Sequence, residues 1–449
     1  MRLAPSIKSD SVVSNEEFAI LMEAVGPFEK APHLAVGCSG GADSLALTLL
    51  LDKWIKKNGG QLTALIVDHK IRIGSSDEAA LVNEWLSEIG IRSEILRANL
   101  NGNKSSLQDV ARSERYRLMG TWCQEKGVLH LFIGHHKEDQ AETLFLNLMR
   151  GSSIDGLSGM ASIAERDAFR ILRPLLAISK SRLVNSLKNE GRNFVSDPSN
   201  ENTVYKRVRI RALLPRLATE GGTTTRLFKV AERMAEARLV LEKETAELMA
   251  KSVAVLPEGY ARLYPPPLLE SSREIALRVL AQVLRTIGGK LHSPRSDQLI
   301  ACLDALKLNL QKGIKFYRTL SGCQLCEQGD TIFIVREKLS RAKIIKVGDK
   351  WFWDGRFAVS GDANTVLKLT PADSCRPPNF KEYKDSKVPF SFCQAMPVIR
   401  DLDGGVLFPT LIDMNTKFNK RNGFRLKAVF KPTRPLSAAS FGLVTNYRG

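Results

Sequence analysis

The stretch Leu34-Ala35-Val36-Gly37-Cys38-Ser39-Gly40-Gly41-Ala42-Asp43-Ser44-Leu45 decides how the chain is read. An apolar run, 34–38, passes through two glycines straight into the leucine-rich segment 45–51. The junction therefore reads as strand, tight loop and helix N-terminus. Such a junction cradles anions: Gly40 and Gly41 let the backbone come close to a ligand, and the first N–H groups of the helix have no internal partner and carry the positive end of its dipole. Ser39 and Ser44 add hydroxyl donors. A Walker loop needs a lysine just before its last hydroxyl residue, and that position is Asp43. A carboxylate beside phosphates calls for a cation, so Asp43 is read as a ligand of Mg²⁺ bridging phosphate oxygens. The competing reading is a glycine turn in which Asp43 and Ser44 only cap the helix.

Outward from this loop the alternation continues. Strands at 62–67, 93–96 and 128–133 and helices to about 57, at 77–89, at 106–125 and from 137 to about 149 predict an α/β fold with a doubly wound parallel sheet. A helix capped at Ser14 precedes it, with Phe18, Leu21, Met22 and Val25 on one face and Pro27 at its end. Ligands of such sheets bind beyond the carboxyl ends of the strands. There lie the loop 39–44, Asp68-His69 and His135-His136, which should open onto one crevice. A strand-like segment at 169–176, a helix at 179–190, the basic run Lys206 to Arg211 and a linker at Gly221-Gly222 follow. Helical spacing then holds through Leu227, Val230, Met234, Leu241 and Leu248 and at 270–287 and 294–308, before short β-type runs at 315–320 and 331–335. The expected domains are 1–220 for nucleotide binding and catalysis, a helical domain at 221–312 and a smaller β-rich domain at 313–449.

Composition narrows the function. A net charge of +18 on 449 residues, with a pI near 9.6, favours a polyanionic partner, and nucleic acid leads. The segment 415–434 concentrates this: Lys417, Lys420, Arg421, Arg425, Lys427, Lys431 and Arg434 interleave with Phe418, Phe424 and Phe430 and meet no acid. That mixture suits RNA, against a solvated edge strand. No apolar run approaches the roughly 20 residues of a membrane span, and residues 1–15 have no signal-type core, so a cytoplasmic protein is expected. Seven irregularly spaced cysteines suit reduced thiols, and Cys323 and Cys326 read as two packed thiols before a metal pair.

His135-His136-Lys137-Glu138-Asp139-Gln140-Ala141-Glu142-Thr143 opens another helix. Asp139 and Glu142 have capping-box spacing, yet two adjacent histidines facing the same crevice as Asp43 are not needed for capping. Zinc is disfavoured, since HExxH spacing is absent and no cysteine lies nearby.

The loop resembles the SGGxDS pyrophosphate loop of the N-type ATP pyrophosphatases, and the histidine string is similar, residue for residue, to HHxxDxxET of the tRNA(Ile)-lysidine synthetase family. Val67-Asp68-His69 with Arg72, Ala111-Arg112 with Arg115-Tyr116, Arg150-Gly151-Ser152 to Met160, Arg173-Pro174-Leu175-Leu176, and Asp197 to Asn200 followed by Arg207, Arg209 and Arg211 resemble further motifs of that family. The likeness spans 34–217 and departs from the usual residues at Gln108, Ser153 and Val208. It implies a ligase that adenylates the wobble cytidine of a tRNA(Ile) with a CAU anticodon and lets free L-lysine displace AMP. Under it Ser39, Gly40, Gly41, Ala42, Asp43, Ser44, Asp68 and His69 bind ATP, and Asp43 and Asp139 hold Mg²⁺. Arg112 stabilises the transition state, His135 and Glu142 handle the lysine ammonium, and Arg209 completes the catalytic set. Arg115, Arg207, Arg211, Lys420, Arg421, Arg425 and Lys427 bind RNA, with both later domains as tRNA-binding. A homodimer stays open. Rivals are tRNA thiolation on the same loop, which needs reactive cysteines near the nucleotide, and a non-catalytic RNA-binding protein, which needs neither Asp43 nor Asp139.

Overall fold

A computed structural model of the chain describes residues 11–70, 74–98, 107–166, 168–195, 206–337, 343–346, 351–361, 366–372, 391–400, 406–408 and 426–436. The described residues fall into two compact units, one within 11–240 and the other within 241–436.

In the first unit the elements run α1 (Asn15–Ala24), β1 (His33–Gly37), α2 (Ala42–Asn58), β2 (Gln61–Asp68), α3 (Ser75–Glu88), β3 (Arg92–Arg97), α4 (Leu107–Lys126), β4 (His130–Ile133) and α5 (Lys137–Leu148). Then come α6 (Ile154–Leu157), β5 (Ile163–Glu165), β6 (Arg170–Leu172), α7 (Lys180–Asn189), α8 (Lys206–Thr219) and α9 (Thr224–Ser252), inside which the division falls. The six-stranded sheet has the order β3-β2-β1-β4-β6-β5 and is parallel except for β5. Helices on both faces explain why the middles of β1 and β2, Leu34 to Val36 and Ala64 to Val67, are apolar runs that do not alternate. Leu34, Val36, Ala64 and Ile66 face a core completed by α1, α2, α3 and α7, while Ala35, Leu65, Leu131 and Ile133 face Met119, Trp122 and Cys123 of α4.

Strand order carries the functional consequence. The chain moves from β1 outward through β2 and β3, then returns to lay β4 on the other side of β1. The direction of winding switches between β1 and β4, which opens a crevice at their carboxyl ends. Both β5 and α8 lay beyond the sequence reading. The antiparallel edge β5 is three residues long, and α8 coincides with the basic run, where charge hides the helical period.

In the second unit an antiparallel sheet of order β7-β8-β11-β10-β9 comprises β7 (Val253–Val255), β8 (Ala261–Leu263), β9 (Tyr317–Leu320), β10 (Cys323–Gln328) and β11 (Thr331–Arg336). Helices α10 (Pro265–Glu270), α11 (Arg273–Gly288) and α12 (Ser296–Gln311) bring Leu268, Val279, Leu280, Val283, Leu299 and Leu306 into one core with Leu263, Leu325, Ile332 and Ile334 of that sheet. Two smaller sheets follow, β12 (Lys343–Lys346) with β15 (Val366–Pro371), β16 (Pro397–Arg400) and β17 (Val406–Leu407), and β13 (Trp351–Trp353) with β14 (Phe357–Gly361) and β18 (Leu426–Phe430). Cys323 and Cys326 are buried on opposite faces of β10, as a spacing of three in a strand requires. Cys323 joins the helix-covered core, and Cys326 packs with Tyr260, Phe333 and Met396. Burial pushes the two thiols up to about 12 and about 11, which agrees with packed thiols.

Candidate active site

The loop after β1 is held by its own hydroxyls. Ser44 Oγ accepts from Ser39 N at 3.1 Å and donates to Gly41 O at 3.0 Å, and Val195 N donates to Gly40 O at 2.9 Å. Gly40 has φ +78°, and a Cβ there would lie 2.3 Å from Val82 Cγ2, so glycine is required both for conformation and for space. Gly41 is the N-cap of α2 and supplies no side-chain cap. The first N–H groups of α2 are thereby left to face a ligand.

Asp43 leaves the first turn of α2 toward β4. Its Oδ1 is shut from solvent and has no hydrogen-bond partner, while Oδ2 lies 3.4 Å from His136 Nε2. The same nitrogen is 3.6 Å from Asp139 Oδ2, which also accepts from His136 N at 3.1 Å, and Glu138 holds Nδ1 at 2.9 Å. Burial opposes charge on this ring. The bonds to Asp43 and Glu138 and the charge of Asp139 nonetheless push His136 up to about 10. His136 was not among the residues assigned from sequence; only its adjacency to His135 pointed to it.

His135 is the opposite case. Burial holds it well below its ordinary value, the nearby charges of Arg173, Arg112 and Arg115 adding to the effect against Asp139. Arg173 Nε, which can only donate, reaches His135 Nδ1 at 3.2 Å. The neutral ring therefore carries its proton on Nε2 and presents a donor. Arg173, on the segment after β6, is buried and also bonds Ala161 O at 2.7 Å.

A cavity of about 340 Å³ gathers Ser39, Gly41, Asp43, Ser44, Val67, His69, Arg115, Gly134 and His135 around the switch point. His69 Nδ1 and Arg115 Nε are sealed without partners. Asp68 is not brought into this cavity. Its carboxylate is taken up by Ser75, Ser76 and Lys70 N at 2.7–3.0 Å; against burial, these bonds hold it below the usual carboxylate range. Arg115, assigned from sequence to RNA, is among the residues lining this cavity.

A second cavity, of about 260 Å³, is lined by His136, Glu138, Glu142, Lys180, Arg211, Leu214 and Thr224. Glu142 is buried, its Oε1 accepts from Arg211 Nε at 2.7 Å, and Oε2 has no hydrogen-bond partner, with Arg207 Nε 3.9 Å away. Arg207 and Arg211 stand four apart on α8 and so share the face turned to α5, where Ala141, Ile210 and Leu214 pack. Arg207 also donates to Thr143 Oγ1 at 3.3 Å. Both arginines are thus engaged at Glu142, and Arg209 is on the exposed side of the helix. Lys420, Arg421 and Arg425 lie outside the described residues; Lys427 belongs to β18, whose backbone pairs it with Ser360.

A phosphate cradle at the switch point of a parallel sheet, with paired carboxylates above it, defines a nucleotide-binding α/β domain, and the family described as "PP-loop domain" matches residues 12–217. That family binds ATP. Of the curated relatives, the tRNA(Ile)-lysidine synthase of the Wolbachia of Brugia malayi is 32% identical over 89% of this chain and 93% of its own. Those of Wolbachia pipientis wMel and Bradyrhizobium diazoefficiens are 35% and 36% identical, over 76% and 62% of this chain and 80% and 79% of theirs. The chain belongs to the tRNA(Ile)-lysidine synthase family.

Proposed function

We propose that this chain joins free L-lysine to C2 of the wobble cytidine in the CAU anticodon of tRNA(Ile) in the cytoplasm, using ATP to form an adenylated tRNA and releasing pyrophosphate and AMP. One observation carries the reading. The two cavities are lined by neighbouring residues, Asp43 and His135 in one and His136 in the other, with the phosphate loop on one side and the spare oxygen of Glu142 on the other. A nucleotide and an amine can thus approach one base from two sides.

In the first half-reaction the N–H groups and hydroxyls of 39–44 hold the phosphates. The unpartnered Oδ1 of Asp43, close to Asp139 through His136, suits a hard cation, and Mg²⁺ held by these two carboxylates would neutralise phosphate charge. Arg112 and Arg115 face the charge that develops as the cytidine oxygen attacks the α-phosphate. The Arg173 donor on its Nδ1 supports a role for His135 as a donor, through Nε2, to a developing oxyanion. His69 faces the nucleotide directly, and Asp68 acts by shaping the loop that carries it.

In the second half-reaction the amine must be neutral to attack C2. Glu142 Oε2 is the acceptor available to its ammonium group, and Arg207 and Arg211 orient that carboxylate. Arg209 and the cations of 415–434 are assigned to the RNA backbone, with 221–312 and 313–449 as the tRNA-binding parts. Thiolation is disfavoured by chemistry. Cys38 and Cys123 are buried in the first unit, and burial pushes both thiols up, Cys123 to about 12, away from the reactive thiolate.

The test is incubation of the full chain with ATP, labelled lysine and a CAU-anticodon tRNA(Ile) transcript. Lysine incorporation at the wobble position, dependent on ATP and Mg²⁺, is expected. Release of pyrophosphate with no lysine incorporated would refute the reading.

A further inference from the structure

Arg115 lines the cavity at the phosphate loop, and Arg112 and Arg173 join it in bearing on His135. Arg112 and Arg115 stand three apart on α4, where like charges repel. Both guanidiniums nevertheless lie over the ring of Tyr116, at 5.4 and 5.7 Å from its centroid. Glu114, between them in sequence, is engaged elsewhere by Arg117, at 2.7 and 2.6 Å. Among the described residues no ion pair joins Arg112, Arg115 or Arg173 to a carboxylate. The Tyr116 hydroxyl is sealed and without a hydrogen-bond partner, as is Arg115 Nε. All three arginines bear on His135, which lines the cavity.

The choice of an aromatic ring here has a physical logic. A glutamate between the arginines would bind their N–H donors and cancel their charge. A ring face attracts guanidinium groups while leaving the donors at their edges free. We propose that Tyr116 is a positioning residue for the adenylation half-reaction: its ring seats Arg112 and Arg115 so that, with Arg173 beside the phenol, they form one anion-binding wall for the nucleotide's phosphate oxygens. The inference rests on the ATP-dependent reading given above.

The experiment is single-turnover pyrophosphate release by the full chain with ATP and tRNA but no lysine. Position 116 is substituted as Tyr116→Phe, Tyr116→Leu, and with phenylalanines carrying one, two or three ring fluorines, which keep the shape of the ring and progressively remove its negative face. Tyr116→Phe should stay within about threefold of wild type, and the fluorinated series should slow stepwise, by at least about fivefold from first to last. Tyr116→Leu should lower the rate constant at full amplitude, whereas partial misfolding would lower the amplitude at an unchanged rate constant. Rates flat across the fluorinated series overturn the proposal. So does Tyr116→Phe slowed as much as Tyr116→Leu, since the hydroxyl would then be the operative group. A wild-type chain that releases no pyrophosphate at all would instead bring down the reading of the reaction.

Discussion

Replacing Gly134 with alanine should slow adenylation without removing any functional group. Gly134 joins the end of β4 to His135, and a Cβ on it would lie 2.8 Å from Asp43 O, 3.0 Å from Asp43 C and 3.1 Å from Ser44 Cα. All three are backbone atoms of the first turn of α2, so no rotamer change relieves the clash. Ordinary contact begins at 3.4 Å, so the turn bearing Asp43 must move by about 0.6 Å relative to β4. That motion is taken up at the 3.4 Å approach of Asp43 to His136. Catalytic constellations tolerate roughly 0.5 Å, and a misplacement of about 1 Å can cost about 100-fold. We therefore expect Gly134→Ala to lower the rate constant for pyrophosphate release by roughly 10–50-fold. Stability should fall by only about 1–2 kcal/mol, because overpacking is partly offset by the lower chain entropy of alanine when unfolded. Rapid-quench single turnovers with radiolabelled ATP measure the rate constant, and filter binding should show unchanged tRNA affinity. A rate constant within twofold of wild type would refute the claim that close packing of β4 on α2 sets the position of Asp43.

Asp43→Asn should abolish pyrophosphate release while tRNA binding persists, because the lost charge belongs to the phosphate side; near-normal turnover would remove Asp43 from the metal. Glu142→Gln should form the adenylated tRNA and stall before lysine transfer, so a block of pyrophosphate release at saturating ATP would move Glu142 to the nucleotide. Replacing Lys420, Arg421, Arg425 and Lys427 with alanine should flatten the slope of log affinity against log salt by roughly 2–3 units, each lost phosphate contact removing about 0.7–0.9; an unchanged slope would leave 415–434 a solvated surface. His130 tests linkage far from the site. Burial holds its pKa below 6.5 against the bond to Glu29, so the neutral ring stabilises the fold at pH above the unfolded value of 6.5, and this contribution is lost as the pH falls below it. His130→Gln should therefore differ most from wild type near neutrality and converge with it on acidification, as urea midpoints across that window would reveal.

Much of the first unit was legible because its signals are local. The apolar runs at β1 and β2 and the glycine loop name a parallel sheet and its ligand end without any long-range information. What stayed hidden depends on partners distant in sequence. Arg173 meets His135 from 38 residues away, and Arg211 meets Glu142 from 69; nothing at either position announces the pairing. Asp68 looked like a ligand because its motif does, yet its carboxylate is occupied by hydroxyls seven and eight residues on. Arg115 lines the cavity at the phosphate loop, a placement that charge alone does not announce. In the second unit the helical and β-type textures suggested separation at 312, whereas α11, α12, β10 and β11 share one core. Texture follows local periodicity, and a core is closed by packing across it.

The opposed thiols of β10 give the second unit two hidden reporters. Because Cys323 and Cys326 point into different cores, oxidation cannot join them while the strand is paired, and neither can meet an alkylating reagent unless its own side of the sheet opens. In a chain with Cys375 replaced by serine, the labelling rate of Cys323 would time the lifting of α11 from the sheet, and that of Cys326 would time exposure of the layer around Tyr260 and Met396. Addition of tRNA then becomes a way to ask which of the two layers the RNA braces: the layer it grips is the one whose cysteine falls silent.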